Sequence, residues 1–169
     1  MELRPAVPDD ALAVARVHVR AWQVGYRGLL PAEYLDSLRA EDRTARYTFG
    51  RADGPRTTVA IERSETESGA LRGIDRGELV GFATIHGAEL CALHVDPAVW
   101  SRGVGRALIA QARADLAAAG VTEAHLWVLA GNTRAERFYQ RDGWTTDGTR
   151  RSDTVWGAVV DEIAYRRRL

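Results

Sequence analysis

Two glycines, Gly103 and Gly105, stand two apart in the basic stretch SRGVGRALIA, residues 101–110, which runs directly into an apolar helical pattern. Glycine lets main-chain N–H groups turn outward and lets a ligand approach with no Cβ in the way. The first amides of the following helix have no intrahelical acceptor, and the positive end of the helix dipole adds to their attraction for an anion. The chemistry this spacing predicts is phosphate binding. Two other phosphate loops do not fit. A P-loop needs Lys and then Ser or Thr after its second glycine, where this chain has Arg106 and Ala107. A dinucleotide fingerprint needs a third glycine where Leu108 stands. On the glycines alone, a tight strand-to-helix turn that holds nothing is an equal reading.

Such a loop needs a scaffold, and the chain supplies an alternating one. Its 169 residues suit one domain, 1–169, large enough to bury a core. Hydrophobic content of 46% and charged content of 27% are those of a soluble globular protein. A formal charge of zero argues against a nucleic-acid partner. All 23 basic residues are arginine, so guanidinium is the only side-chain cation besides histidine. Cys91 is the single cysteine, which excludes an internal disulfide and suits the cytoplasm. The opening MELRPAVPDD lacks a basic-then-apolar signal pattern, and no apolar run is long enough to predict a membrane span. His18, His86, His94 and His125 have no ligand spacing, so no metal is expected.

Along the chain, ELRPAV reads as a first strand and residues 8–22 as a helix with Asp9 or Asp10 as N-cap. Leu12, Ala15, Val19 and Trp22 mark one buried face on it. Gly25, Gly28 and Pro31 break the pattern, and a second helical region is expected from Ala32 to about Phe49, interrupted near Ala40. Residues 56–63 are β-rich, 64–78 read as a long polar hairpin loop, and LVGFATIHGAELCALHV resumes as two strands turned at Gly87. Cys91 reads as a small buried hydrophobe on the second of them. A helix from about Val104 to Ala119, closed by Gly120, follows the glycine loop. EAHLWVLA is a strand, TRAERFYQRD a short helix, and two tail strands are expected near 143–147 and 154–165.

LHVDPAVWSRGVGRALI resembles motif A of the GNAT superfamily of N-acetyltransferases, in which a strand and Pro lead into Gln/Arg-x-x-Gly-x-Gly/Ala and an apolar helix. NTRAERFYQRDGW resembles its motif B, and Arg4-Pro5, DDALAVARVHVRAW and YRGLLP resemble its acceptor-side half. The resemblance implies an α/β (α+β) fold: a central mixed, mostly antiparallel sheet of about seven strands flanked by about four helices, with the fourth and fifth strands splayed. It implies acetyl-CoA as cosubstrate, its diphosphate wrapped by the amides of Arg102, Gly103, Val104, Gly105, Arg106 and Ala107 with Ser101 beside them, and its pantetheine arm bonded to main chain near Leu93, His94 and Val95. Asn132 and Tyr139, seven apart on a helix, match cofactor-side positions, with Tyr139 as general acid for the departing thiolate. Glu89, fourteen residues before Gly103, matches the carboxylate that serves as base in some members; His94 or water are the alternatives, and the family's other base position holds Trp127. Trp22, Tyr26 and Glu33 fall in the region that receives the acceptor, a small-molecule or peptide amine. A homodimer is compatible with this reading. One departure stands out: the family's Gln or Arg, three residues before Gly103, is Trp100 here. Trp100 leaves open a second class, an acyl-CoA sensor without turnover.

Overall fold

The computed structural model describes residues 1–51, 53–62, 77–155 and 157–169. The elements run β1 (Glu2–Pro5), α1 (Ala11–Gly25), α2 (Ala32–Ser37), β2 (Arg56–Glu62), β3 (Glu78–His86), β4 (Glu89–Val95), α3 (Val104–Ala118), β5 (Glu123–Leu129), α4 (Thr133–Arg141), β6 (Arg150–Val155) and β7 (Ala158–Arg168). One seven-stranded sheet takes the order β1-β2-β3-β4-β5-β7-β6. Every neighbouring pair is antiparallel except β4 and β5, which are parallel and meet at a single residue pair, Glu89 with His125. Beyond that pair the two strands are splayed, and the mixed sheet with its four helices is the architecture the sequence implies.

Two cores sandwich the sheet. On one face Leu108, Ile109, Ala112 and Leu116 of α3 pack with Val80, Ile85, Leu126, Val128 and Tyr139. On the other, α1 uses two flanks where the periodicity suggested one. Ala15, Val19 and Trp22 join Leu35 and Leu38, while Val14 and Val17 join Val59, Leu79 and Phe82. The helix lies over the sheet's middle, so a wider stripe than one row is covered. No helix among the described residues is long and apolar enough to cross a membrane.

Several local expectations need correction. Asp10 occupies the N-cap position of α1 but makes no cap hydrogen bond. Its carboxylate turns back to accept from the Arg4 guanidinium at 2.7 and 2.8 Å and from the Val7 amide, because a paired fork outweighs one exposed cap. The second helix stops at Ser37: Leu38 is extended, and this path buries Leu38 and Ala40. Only a 3-10 turn, Thr44–Arg46, follows it. The first tail strand begins at Arg150, not near 143, because Gly143 and Gly148 have φ of 84° and 83° and break the extended path; Thr145 alone bridges to Arg166. Of the long loop expected at 64–78, Gly77 and Glu78 are described and Glu78 opens β3; the rest lies outside the described residues.

Cys91 is exposed, against the expectation of burial. The β3–β4 register pairs Thr84 with Ala92 and Ile85 with Leu90, so Cys91 is the extra residue of a bulge. Alternation fails there, and the side chain leaves the core. Desolvation within the cleft, with the Glu89 carboxylate nearby, pushes its thiol up to about 11. A thiol so rarely ionised is a poor nucleophile.

Candidate active site

The splay of β4 and β5 opens into a cleft of about 850 Å³ that runs from the start of α3 to the inner ends of α1 and β7. What faces into it follows from strand register. The Asp96 amide donates to the Val80 carbonyl while Val95 stands opposite Gly81. In an antiparallel ladder that makes Val95 a non-hydrogen-bonded pair, so its own N–H and C=O point away from β3, and those of Leu93 do the same. His94 is the intervening residue, and its main chain points to Phe82. Of the three residues expected to meet the pantetheine arm through backbone, Leu93 and Val95 are therefore turned to the gap and His94 is not; only the His94 side chain lines the cleft.

At the far end of β4 the chain turns under control of Asp96, buried and capping the 3-10 turn Pro97–Val99 through the Ala98 amide at 2.9 Å. Arg20 of α1 pairs with the same carboxylate. Ser101 then adopts φ 67° and Gly103 φ 88°. A left-handed serine is uncommon, and such strain is held only where the surroundings enforce it. The amides of Gly103, Val104, Gly105 and Arg106 have no acceptor among the described residues, whereas Arg102 donates to Val99 and Ala107 to Gly103. Arg102 and Ala107 are thus removed from the set of free donors, and Ala107 does not line the cleft. The glycines also divide their work. A Cβ at Gly103 would meet open space but a positive φ, while one at Gly105 would press on Phe138 of α4 at 3.4 Å. Gly81 beneath α3 would clash with Leu108 and Val104 at 3.0 and 3.1 Å, so its missing side chain lets the free amides sit tight against the end of β4.

A sequence match to the Acetyltransferase (GNAT) family spans residues 29–144, which includes the bulged strand, the free amides and α4. The chain belongs to the GNAT family of acetyltransferases. It is 26% identical over 135 residues to YuaI, an uncharacterised N-acetyltransferase of Bacillus subtilis, covering 77% of this chain and 72% of that one. It is 22% identical over 159 residues to a spermidine N(1)-acetyltransferase of Thermoplasma acidophilum, covering 92% and 94%. The solved PaiA N-acetyltransferase of Thermoplasma acidophilum, in complex with coenzyme A, shares the fold with a TM-score of 0.70 at 19% identity, covering 99% and 98%.

The remaining candidates of this GNAT chain distribute as follows. Asn132 accepts from the Ala135 amide at 3.1 Å as the N-cap of α4, and it also lines the cleft. Tyr139 is buried with Phe138 and Trp144 against its ring edges, and its hydroxyl has no hydrogen-bond partner among the described residues. Burial, with Tyr26 beside it, raises its pKa well above the usual phenol range. Glu89 lines the cleft at the closed end of the gap, 3.6 Å from His125 Nε2. Trp22 and Tyr26 form an aromatic wall with ring centroids 4.9 Å apart. Glu33 is exposed on α2 and does not line the cleft, so it is dropped as an acceptor contact. Among the described residues no group of three or more His, Cys, Asp or Glu is placed to hold a metal ion.

Three features had no local sequence signal. Glu162 of β7 reaches the cleft with its carboxylate held by Arg151 Nε at 2.7 Å, and Arg151 lies over the Trp127 ring. Trp100 bonds back to β4 and carries Arg134 on its face. His94 stacks on His18 at 4.0 Å, and His18 contacts the Tyr47 hydroxyl. Desolvation pulls His94 down to about 4 and lowers His18 as well, with the neighbouring imidazole adding to the effect on His18. Because the folded His94 binds its proton more weakly than the unfolded one, the contribution is fully present above about pH 6.5 and is lost as pH falls toward 4. The thermal midpoint is expected to drop across that window, and His94→Gln to flatten the drop. An equally steep drop in the variant would remove His94 as its cause.

Proposed function

We propose that this chain transfers an acetyl group from acetyl-CoA to a primary amine by direct attack in a ternary complex. The observation that carries the reading is the single-pair junction of β4 and β5 beside four unsatisfied amides. An extended, amide-bearing chain ending in a diphosphate satisfies both, and buried main-chain groups left unpaired would be costly. When bound, acetyl-CoA supplies the activated acetyl thioester. Gly103, Val104, Gly105 and Arg106 donate to the diphosphate, with Arg102 and Arg106 adding charge. The Leu93 N–H, aimed into the gap, donates to a carbonyl oxygen as negative charge builds on it. Tyr139 holds a proton for the departing sulfur, and Glu89 takes one from the acceptor ammonium, whose pKa is about 10.4. Trp22 and Tyr26 border the acceptor's place.

The cleft carries both signs of charge: Arg102 and Arg106 stand at the α3 end, and Glu89 stands at the other end, where β4 and β5 still pair. That gradient orients an anionic cosubstrate and a cationic acceptor from opposite sides. The spermidine N(1)-acetyltransferase relative makes an aliphatic polyamine the first acceptor to try. Free CoA release is measured across polyamines, peptide amino termini, aminoglycosides and small metabolite amines, and amine-dependent release is expected. The competing reading, an acyl-CoA sensor, is favoured by Trp100 in place of the family's Gln or Arg. Tight CoA binding with no release on any amine would establish the sensor.

A further inference from the structure

Trp100 stands where the family pattern places a polar or cationic side chain, yet the structure gives it a defined task. Its indole Nε1 donates to the Val95 carbonyl at 2.8 Å, one of the groups that register turns into the gap. The ring is thereby fixed at the mouth of the gap, and on it lies Arg134 of α4, with Cζ 3.1 Å from the ring centroid. Stacking uses the flat face of the guanidinium and leaves its N–H donors free around the edge. The contrast with Arg151 is informative. Arg151 also lies on an indole, Trp127 at 4.1 Å, but its Nε is tied to Glu162. Among the described residues no carboxylate pairs with Arg134, and desolvation lowers its pKa, as befits a cation with no anion beside it. Arg134 lines the same cleft as Gly103 and Gly105.

We propose that Arg134, carried on the Trp100 ring, is a further side-chain cation that binds the phosphate groups of coenzyme A beside Arg102 and Arg106, moving to α4 the contact that position 100 cannot make. The inference rests on the acetyl-CoA reading. A planar fork suits phosphate oxygens, and the indole platform holds it in place before the ligand arrives, so less freedom is lost on binding. Two phosphate sources on the ligand share this chemistry, the diphosphate and the 3′-phosphate.

Calorimetric titration with CoA and with dephospho-CoA tests it. Arg134→Ala is expected to weaken CoA binding about tenfold and to reduce its salt dependence. Arg134→Gln, which keeps the side-chain stem, should show the same loss, so an effect on packing alone is separated from the loss of charge. Adding Trp100→Arg to Arg134→Ala should restore much of the affinity by returning a cation to the loop. An equal loss with both ligands assigns Arg134 to the diphosphate, and a loss with CoA alone assigns it to the 3′-phosphate. Wild-type affinity and salt dependence in Arg134→Gln would overturn the proposal. Failure of the wild-type protein to bind CoA would overturn the acetyl-CoA reading beneath it.

Discussion

Replacing Tyr139 by Phe is expected to lower turnover by roughly tenfold to a thousandfold while CoA affinity changes little. The hydroxyl is the only polar atom the substitution removes, and the ring keeps its place between Phe138 and Trp144. Packing is therefore preserved, and the variant isolates the proton. Its pKa fixes the sign of the pH effect. Burial raises the Tyr139 phenol, so the proton remains in place beyond the usual phenol range and the acid is not lost at neutral or mildly alkaline pH. A thiol of about pKa 8.5 needs that proton most below its own pKa, so the defect should shrink as pH rises past about 8.5. Single-turnover release of CoA, followed from pH 6 to 9, reads both effects. Unchanged release at pH 7 would take Tyr139 out of the chemistry and leave it a core aromatic.

Much of this site is legible because its parts are local in sequence. Gly103 and Gly105 precede a helical pattern, Asn132 opens the next helix, and Tyr139 lies seven residues on. Strand alternation places Leu93 and Val95 on one face and needs only register to aim their main chain. What escaped are the features that register or tertiary contact decides. The bulge at Cys91 depends on how β4 aligns with β3, and neither strand encodes it alone. Arg134 meets Trp100 across 34 residues, and Arg151 meets Trp127 across 24, with no periodic signal joining either pair. The helix expected from Ala32 onward stops at Ser37 because burial of Leu38 and Ala40 along an extended path overrides local propensity. The sequence suggests clearance for a ligand at Gly105, and the structure puts Phe138 there. The same α3–α4 contact brings both of the family's motifs to one cleft.

Glu89→Gln separates the two sources of pH dependence that any amine acetylation contains. An aliphatic acceptor of pKa about 10.4 is almost wholly protonated at pH 7, and shedding the proton costs roughly 4–5 kcal/mol. A carboxylate at the closed end of the β4–β5 gap can take that proton only when ionised. Glutamine keeps the shape and cannot take the proton, so the variant's rate should follow the free-amine fraction alone, rising about tenfold per pH unit up to the acceptor's pKa, whereas the wild-type rate should rise less steeply. At pH 7 the loss should be on the order of a hundredfold, within the range for a positioned general base. The alternative base is distinguishable in the same experiment. His94 is held down to about 4 by desolvation, neutral and able to accept at pH 7 but a weak base. A shallow pH dependence that survives Glu89→Gln and steepens in His94→Gln would transfer the role to His94, and a steep rise already present in the wild type would leave proton removal to water.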